Sequence, residues 1–391
     1  MATSGLPAAE FDAEEQFDAH HPPDLTRDPA GMVQFLSPDG ELKVSGPYGG
    51  YAPAEGELEV LYRDMYLIRR FDQEATALQR QGELALWVQL RGQEAAQVGS
   101  AYAMLPQDYV FPTYREHAVA VARGVAPADL LKLFRGITNG GWNPKDSNFH
   151  LYTLVLAAQS LHAVGYAMGM QRDQAADPAL PKAATVAYFG DGASSEGDVH
   201  ESMVFAASFN APVVFFCQNN HWAISVPTEV QSRVPLAHRA RGYGFPGIRV
   251  DGNDVLAVRA VTRWALERAR NGGGPTLIEA FTYRMSAHTT ADDPTKYRLP
   301  ADEELWVPRD PLIRVERRLR ATGTGDDFFA DLEQEAAVLA RELRADVLAM
   351  EAPGLEHRFA TTYAEAHPLI QEELQAWKDY EAGFAREEGL S

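Results

Sequence analysis

Cysteine is almost missing from this sequence: Cys217 is the only one in 391 residues. An intramolecular disulfide and a cysteine metal cluster are thereby excluded. Cys217 lies in the apolar run Val213–Cys217, which suits a buried, inert thiol. Basic residues are also scarce. Thirty-five Lys and Arg stand against 55 Asp and Glu, a formal charge of -20, with a pI near 5.0. That imbalance argues against nucleic acid and against an anionic membrane surface as partners of the whole chain. No apolar run approaches the roughly 18 residues that a membrane-spanning helix needs. The amino terminus has no apolar signal core and is acidic where a mitochondrial leader would be basic, so a cytoplasmic location is expected. Internal repeats and low-complexity tracts are absent as well.

The chain is long enough for one large domain or two ordinary ones. Three regions are expected: an extended N-terminal arm over 1–55, an α/β domain over 56–310 and a helical C-terminal tail over 311–391. The arm is acidic and carries Pro22, Pro23, Pro29, Pro38 and Pro47, with little periodicity. Within it, Val33–Leu36 followed by Pro38-Asp39-Gly40 reads as a short strand and turn. Phe35, Leu36 and Tyr48 are costly to leave in water, which points to an arm that wraps a partner subunit. From Glu57 to Gln81, Leu58, Val60, Leu61, Met65, Ile68 and Phe71 recur at helical spacing, with Arg69, Arg70 and Arg80 as the solvated face. Leu161 to Met170 reads as a small-residue helix whose Gly165 and Gly169 let a second helix approach.

The chemistry concentrates in residues 185–226. Thr185–Phe189 is an apolar run that stops at Gly190-Asp191-Gly192, as a buried parallel strand does at a tight polar turn. A helix should follow, started by Ser195 and Asp198, with Met203, Val204, Ala206 and Ala207 as its buried stripe. Val213–Cys217 is a second buried strand and ends in Gln218-Asn219-Asn220. Ligands of an open parallel sheet sit outside the carboxyl ends of its strands. Adjacent strands would therefore bring the Asp191 carboxylate and the Asn220 amide to one edge. Such hard oxygen donors suit Mg²⁺, which completes its shell with water, carbonyl and phosphate oxygens. The pattern proposes a metal-bridged diphosphate.

That spacing resembles the thiamine diphosphate-binding motif. Taken with Arg91-Gly92-Gln93-Glu94-Ala95, Phe111–Glu116, Ile248–Asp254 and Tyr283-Arg284 leading to His288–Asp293, it makes the chain similar to the alpha subunits of the decarboxylating component of 2-oxo acid dehydrogenase complexes. The Thr-x-Asp-Asp after His288 is nearer to branched-chain than to pyruvate enzymes, with acetoin dehydrogenases further off. The resemblance implies a mostly parallel sheet flanked by helices, the thiamine diphosphate-binding fold. It implies oxidative decarboxylation of a branched-chain 2-oxo acid, with transfer of the acyl group to the lipoyl group of an acyltransferase component. It also implies Mg²⁺ held by Asp191, Asn220 and the carbonyl of Trp222, and a diphosphate met by Tyr114, Arg115 and the backbone of Gly192 and Ala193. His288 matches the active-site histidine; imidazole ordinarily titrates close to working pH. A beta subunit would supply the carboxylate that activates the aminopyrimidine, giving an α₂β₂ heterotetramer with the cofactor between subunits.

Departures from the family pattern accompany these matches. Leu154-Val155-Leu156 stands where a Ser-Pro-Leu segment is common, leaving only a backbone contact from Leu156. Gln218 replaces a common arginine near the diphosphate, and a potassium site loses most of its polar side chains. Thr289 takes the place of a regulatory phosphoserine. Two other classes fit the sequence less well. A nicotinamide-dependent dehydrogenase needs a third glycine where Ser195 stands. A non-catalytic assembly scaffold would have no use for Asp191, Asn220, Arg115 and His288 together.

Overall fold

The two apolar runs that flank the Gly190-Asp191-Gly192 turn pair as adjacent parallel strands, from Thr185 opposite Val213 to Gly190 opposite Gln218. This computed structural model describes residues 31–44, 46, 48 and 53–388. Most of the expected arm, including Pro22, Pro23, Pro29 and Pro47, lies outside the described residues. In chain order the strands are β1 (Tyr109–Phe111), β2 (Thr185–Gly190), β3 (Val213–Asn219), a small antiparallel pair β4 (Trp222–Ala223) and β5 (Val226–Pro227), β6 (Gly247–Asp251) and β7 (Thr276–Phe281). β1, β2, β3, β7 and β6 form, in that order, an all-parallel sheet.

The helices are α1 (Glu57–Arg80), α2 (Glu94–Tyr102), α3 (His117–Ala122), α4 (Pro127–Arg135), the single turn α5 (Pro144–Ser147), α6 (Ala158–Ala176) and α7 (Gly197–Phe209). Two short pieces follow, α8 (Thr228–Gln231) and α9 (Ala240–Tyr243), then α10 (Val255–Arg268) and α11 (Pro300–Trp306). The chain ends in α12 (Pro311–Ala321), α13 (Asp326–Ala349), α14 (Leu355–Ala360) and α15 (Pro368–Glu388). Both sheet faces are covered, which is why the strands read as continuous apolar runs. Val186, Tyr188, Val214 and Phe216 point into one core with α1, α2, α4, α10, α12 and α13. Ala187, Phe189, Phe215 and Cys217 point into the other, with α6 and α7. Among the described residues no helix is long and apolar enough to cross a membrane.

The described part of the arm packs on its own chain. Val33 bridges Val250 at the edge strand β6, and Phe35 and Leu36 are fully buried in the larger core. Burying such a side chain contributes roughly 1.5–3 kcal/mol, so this domain itself supplies the cover that a partner subunit was expected to give. Asp254 closes the latch: Oδ1 caps α10 through Leu256 N and Ala257 N at 3.0 and 3.1 Å, while Oδ2 accepts from Phe35 N and Leu36 N, both at 2.6 Å. Buried Arg314 on α12 donates to Asp251 Oδ2 at 2.6 Å and to the Leu36 carbonyl at 2.9 Å.

Other expectations change. Arg69 does not face solvent; it bonds Glu94 and Asp310, each at 2.7 Å, beneath α1. A Cβ at Gly165 or Gly169 would meet nothing within 4 Å, so among the described residues no helix uses that opening. Neither Ser195 nor Asp198 caps α7: a 3₁₀ turn over Ala193–Ser195 intervenes and Glu196 takes the cap position without a side-chain bond. The buried stripe of α7 is Val199, Ser202, Met203 and Ala206, and Val204 is half exposed.

Leu36→Ala should lower stability by about 2–5 kcal/mol, the usual cost of emptying a fully buried leucine site. Denaturant unfolding monitored by circular dichroism measures this; a loss under about 1 kcal/mol would show that the arm is not integral to the core.

Candidate active site

At the carboxyl edge of the sheet, the register of β2 on β3 makes Asp191 and Asn220 leave side by side. Asp191 is buried, 1% exposed. Its Oδ2 accepts from Thr228 Oγ1 at 2.8 Å, and no Lys or Arg pairs with it among the described residues. Burial raises its pKa to about 6, as expected of a carboxylate removed from water without a counter-ion. Asn220 donates through Nδ2 to Gln93 Oε1 at 3.3 Å, which turns Oδ1 the other way, toward Trp222 N at 3.2 Å. His221 and Ile224 hold left-handed backbone at φ 72 and 56°. Such geometry costs a non-glycine residue about 1–2 kcal/mol and folds the β4–β5 hairpin back over the site. Gly192 is required there, because a Cβ would lie 2.6 Å from that of Ala223. A carboxylate, an amide oxygen and the Trp222 carbonyl are hard donors, and the unpaired charge on Asp191 fits a divalent cation.

Cationic groups gather beside this turn. Arg115 is 5% and Arg284 0% exposed, and neither has a carboxylate in ion-pair distance among the described residues. Arg115 donates to the Gln89 carbonyl and, through Nη2, to His288 Nδ1 at 3.2 Å and the His288 carbonyl at 3.0 Å. It is a buried cation, not a surface ion pair. Arg284 donates to the carbonyls of Ile224 at 2.6 Å and Trp222 at 3.2 Å and to the Tyr297 hydroxyl at 2.8 Å. Its Nε is buried without a partner, and burial, reinforced by Arg115, lowers its pKa to about 10. Two buried guanidiniums lacking an anion suit a diphosphate, whose oxygens accept forked donors.

His288 sits among them. Its backbone N–H donates to Asp292 Oδ2 at 2.8 Å, and Tyr114 stands edge-on with ring centroids 6.2 Å apart. Nδ1 receives Arg115, and Arg284 at 3.4 Å, so the imidazole proton belongs on Nε2. Burial first, then Arg115 and Arg284, push its pKa down to about 3. The expectation of titration near working pH is thus corrected: in the free chain this histidine is held neutral.

Other expected residues reach the site differently. Ala193 is buried in the turn after Asp191. Leu156 is 46% exposed with Leu154 and Val155; Thr153 N bonds the Thr113 carbonyl at 3.1 Å and places this segment beyond the Tyr114–Arg115 turn. Gln218 has both ends of its amide engaged inside the protein, by Glu116 and Gln97, so it meets the site through them. Sequence reasoning missed Arg284, Thr228 and Gln93 as site residues. A charged side chain just beyond the apolar run of β7 was the available signal for Arg284, and the Arg91–Ala95 motif was the signal for Gln93; nothing local marked Thr228. In the Arg91–Ala95 motif, Gly92 has φ +98° and lies where a Cβ would be 2.2 Å from the Tyr283 carbonyl, while Glu94 holds Arg69.

In the cofactor-free protein the His288 imidazole should remain neutral from pH 8 to pH 5. Its folded pKa lies below the roughly 6.5 of a free imidazole, so unfolding takes up a proton and this group's effect on stability turns unfavourable as pH falls below about 6.5. Nitrogen-15 NMR of labelled histidine reads this directly, and a midpoint near 6.5 would refute it.

Comparison with known proteins places the chain in a family. The family model of the dehydrogenase E1 component matches residues 62–344. The 3-methyl-2-oxobutanoate dehydrogenase subunit alpha of Mycobacterium tuberculosis (strain ATCC 25618 / H37Rv) is 44% identical over 368 residues, covering 90% of this chain and 97% of that protein. The pyruvate dehydrogenase E1 component subunits alpha of Staphylococcus epidermidis (strain ATCC 12228 / FDA PCI 1200) and Staphylococcus aureus (strain COL) are 35 and 34% identical, each covering 94% of this chain and 98% of the relative. Dependence on thiamine diphosphate is general in the E1 family. With that match spanning most of the chain, and a buried carboxylate and two unpaired guanidiniums at the strand ends it encloses, the protein belongs to the dehydrogenase E1 component family.

Proposed function

We propose that this chain is the alpha subunit of a branched-chain 2-oxo acid dehydrogenase, acting on 3-methyl-2-oxobutanoate and its close homologues. The identity to the mycobacterial subunit, 44% against 35% for the staphylococcal pyruvate enzyme, supports that substrate class. The observation that supports the site is buried charge without a counter-ion: the Asp191 carboxylate, beside the neutral Asn220 amide at the tips of β2 and β3, and the Arg115 and Arg284 guanidiniums next to them.

In this reading Asp191, the Asn220 side chain and the Trp222 carbonyl hold Mg²⁺. Arg115, Tyr114, Arg284 and the backbone of Gly192 and Ala193 receive the diphosphate, and Leu156 offers a backbone contact to the aminopyrimidine. Bound thiamine diphosphate supplies the carbon nucleophile through which a 2-oxo acid loses carbon dioxide. The protein orients that group and excludes water. His288, with Nδ1 turned to the arginines, presents a proton at Nε2 to the reacting acid, and the negative diphosphate offsets the arginines that depress its basicity. The exposed Leu154–Leu156 segment suits cover by a beta subunit, which contributes the carboxylate for the aminopyrimidine in an α₂β₂ assembly. The acyl group would pass to the lipoyl disulfide of the acyltransferase component, whose S–S bond would serve as the oxidant and open to a thioester and a thiol.

Assay of the chain reconstituted with its beta subunit on pyruvate and the three branched-chain 2-oxo acids tests the substrate. The branched acids should show kcat/KM at least tenfold above pyruvate; a preference for pyruvate would move the protein to the other branch of the family. Asp191→Ala should abolish turnover, by at least a thousandfold, and leave assembly intact on size-exclusion chromatography. Retained turnover would remove the metal from the site.

A further inference from the structure

Three buried side chains beneath the Tyr114–Arg115 turn form one continuous hydrogen-bonded row. At one end the backbone N–H of Ala118 donates to Gln97 Oε1 at 3.0 Å. At the other, the N–H and hydroxyl of Thr113 both donate to Glu116 Oε2 at 2.7 Å. Between these ends Gln97 Nε2 donates to Gln218 Oε1 at 3.2 Å and to the Arg115 carbonyl at 2.9 Å, and Gln218 Nε2 donates to Glu116 Oε1 at 2.6 Å. Gln97, Glu116 and Gln218 are 0, 1 and 2% exposed.

The direction of the row is set by its ends. A backbone N–H can only donate, so Ala118 commits Gln97 to present its amide nitrogen inward. Gln218 must then accept with its oxygen and donate with its nitrogen, and residue 116 must accept on both sides. A carboxyl group there accepts from Gln218 on one oxygen and from the Thr113 N–H on the other; an amide would set donor against donor out of reach of water. The row ties the tip of β3, two residues before Asn220, to the turn that carries Arg115, and it grips that turn at Thr113 and at the Arg115 carbonyl.

We propose that Glu116, acting through Gln218 and Gln97, is a positioning residue that fixes the spacing between the metal-binding and diphosphate-binding halves of the site. This rests on the reading of the site as a thiamine diphosphate centre. It also gives Gln218 a role: the glutamine that stands in place of an arginine is the middle of the row, not a phosphate ligand.

The test uses the chain assembled with its beta subunit. The Kd for thiamine diphosphate in saturating Mg²⁺ is measured by calorimetry, and kcat is measured at saturating cofactor. Glu116→Gln should raise Kd at least tenfold and leave saturated kcat within threefold of native. Gln218→Glu, which sets two carboxylates face to face, should weaken binding similarly. The double exchange of Glu116→Gln with Gln218→Glu restores every donor–acceptor pairing, with the amide now facing the carboxylate from the other side, and should return Kd to within threefold of native. A Glu116→Gln Kd within twofold of native, or a double variant as weak as the singles, overturns the proposal. Should a single variant fail to assemble, the double variant decides: native affinity supports the row and weak affinity refutes it. A native assembly that binds no thiamine diphosphate overturns the functional reading itself, and this inference with it.

Discussion

Uncompensated charge buried at the carboxyl edge of a parallel sheet is the constraint on which this structure depends. An unpaired ion in a protein interior costs several kcal/mol after relaxation, yet Asp191, Arg115 and Arg284 are all buried without counter-ions. Burial makes the Asp191 carboxylate a weaker acid despite the attraction of Arg284, and makes Arg284 a weaker base. A divalent cation and a diphosphate would be the complementary charges, so under the proposed function cofactor binding would relieve an electrostatic penalty that the apoprotein retains.

Holding such groups in place requires a rigid frame. Side chains of β2 and β3 alternate between two cores, so the strand tips cannot shift without disturbing both. The edge strand β6 is closed by the chain's own Val33, and buried Asp254 and Arg314 secure that closure. The Asp251–Asp254 motif is therefore structural: it caps α10 and fastens the arm. Strained backbone appears where the frame meets the candidate site, at His221 and Ile224, where the chain doubles back beside Asp191 and Asn220.

Much of this was legible along the chain. The two apolar runs, the glycine-flanked aspartate and the asparagine pair are local patterns, and parallel pairing follows from a strand–helix–strand order. Periodicity located α1 to within a residue. It did not reveal that Arg69 lies beneath the helix, because its partners Glu94 and Asp310 are distant in sequence. Expecting Phe35 and Leu36 to be covered was sound; that this domain supplies the cover depended on how β6 ends the sheet. The stripe of α7 kept Met203 and Ala206 but took Val199 and Ser202 in place of Val204 and Ala207.

Taken alone, the sequence determined which groups could bind a metal and a diphosphate, since the donor types and the strand-end positions of Asp191 and Asn220 are written locally. The tertiary structure alone decided their electrostatics. His288 is held neutral by burial first and then by Arg115, from a distant segment, and its near neighbour Arg284, and Gln218 became a linker because Glu116 and Gln97 take up both ends of its amide. Ionisation and hydrogen-bond polarity depend on neighbours in space, and folding brings those neighbours together from positions far apart in the chain.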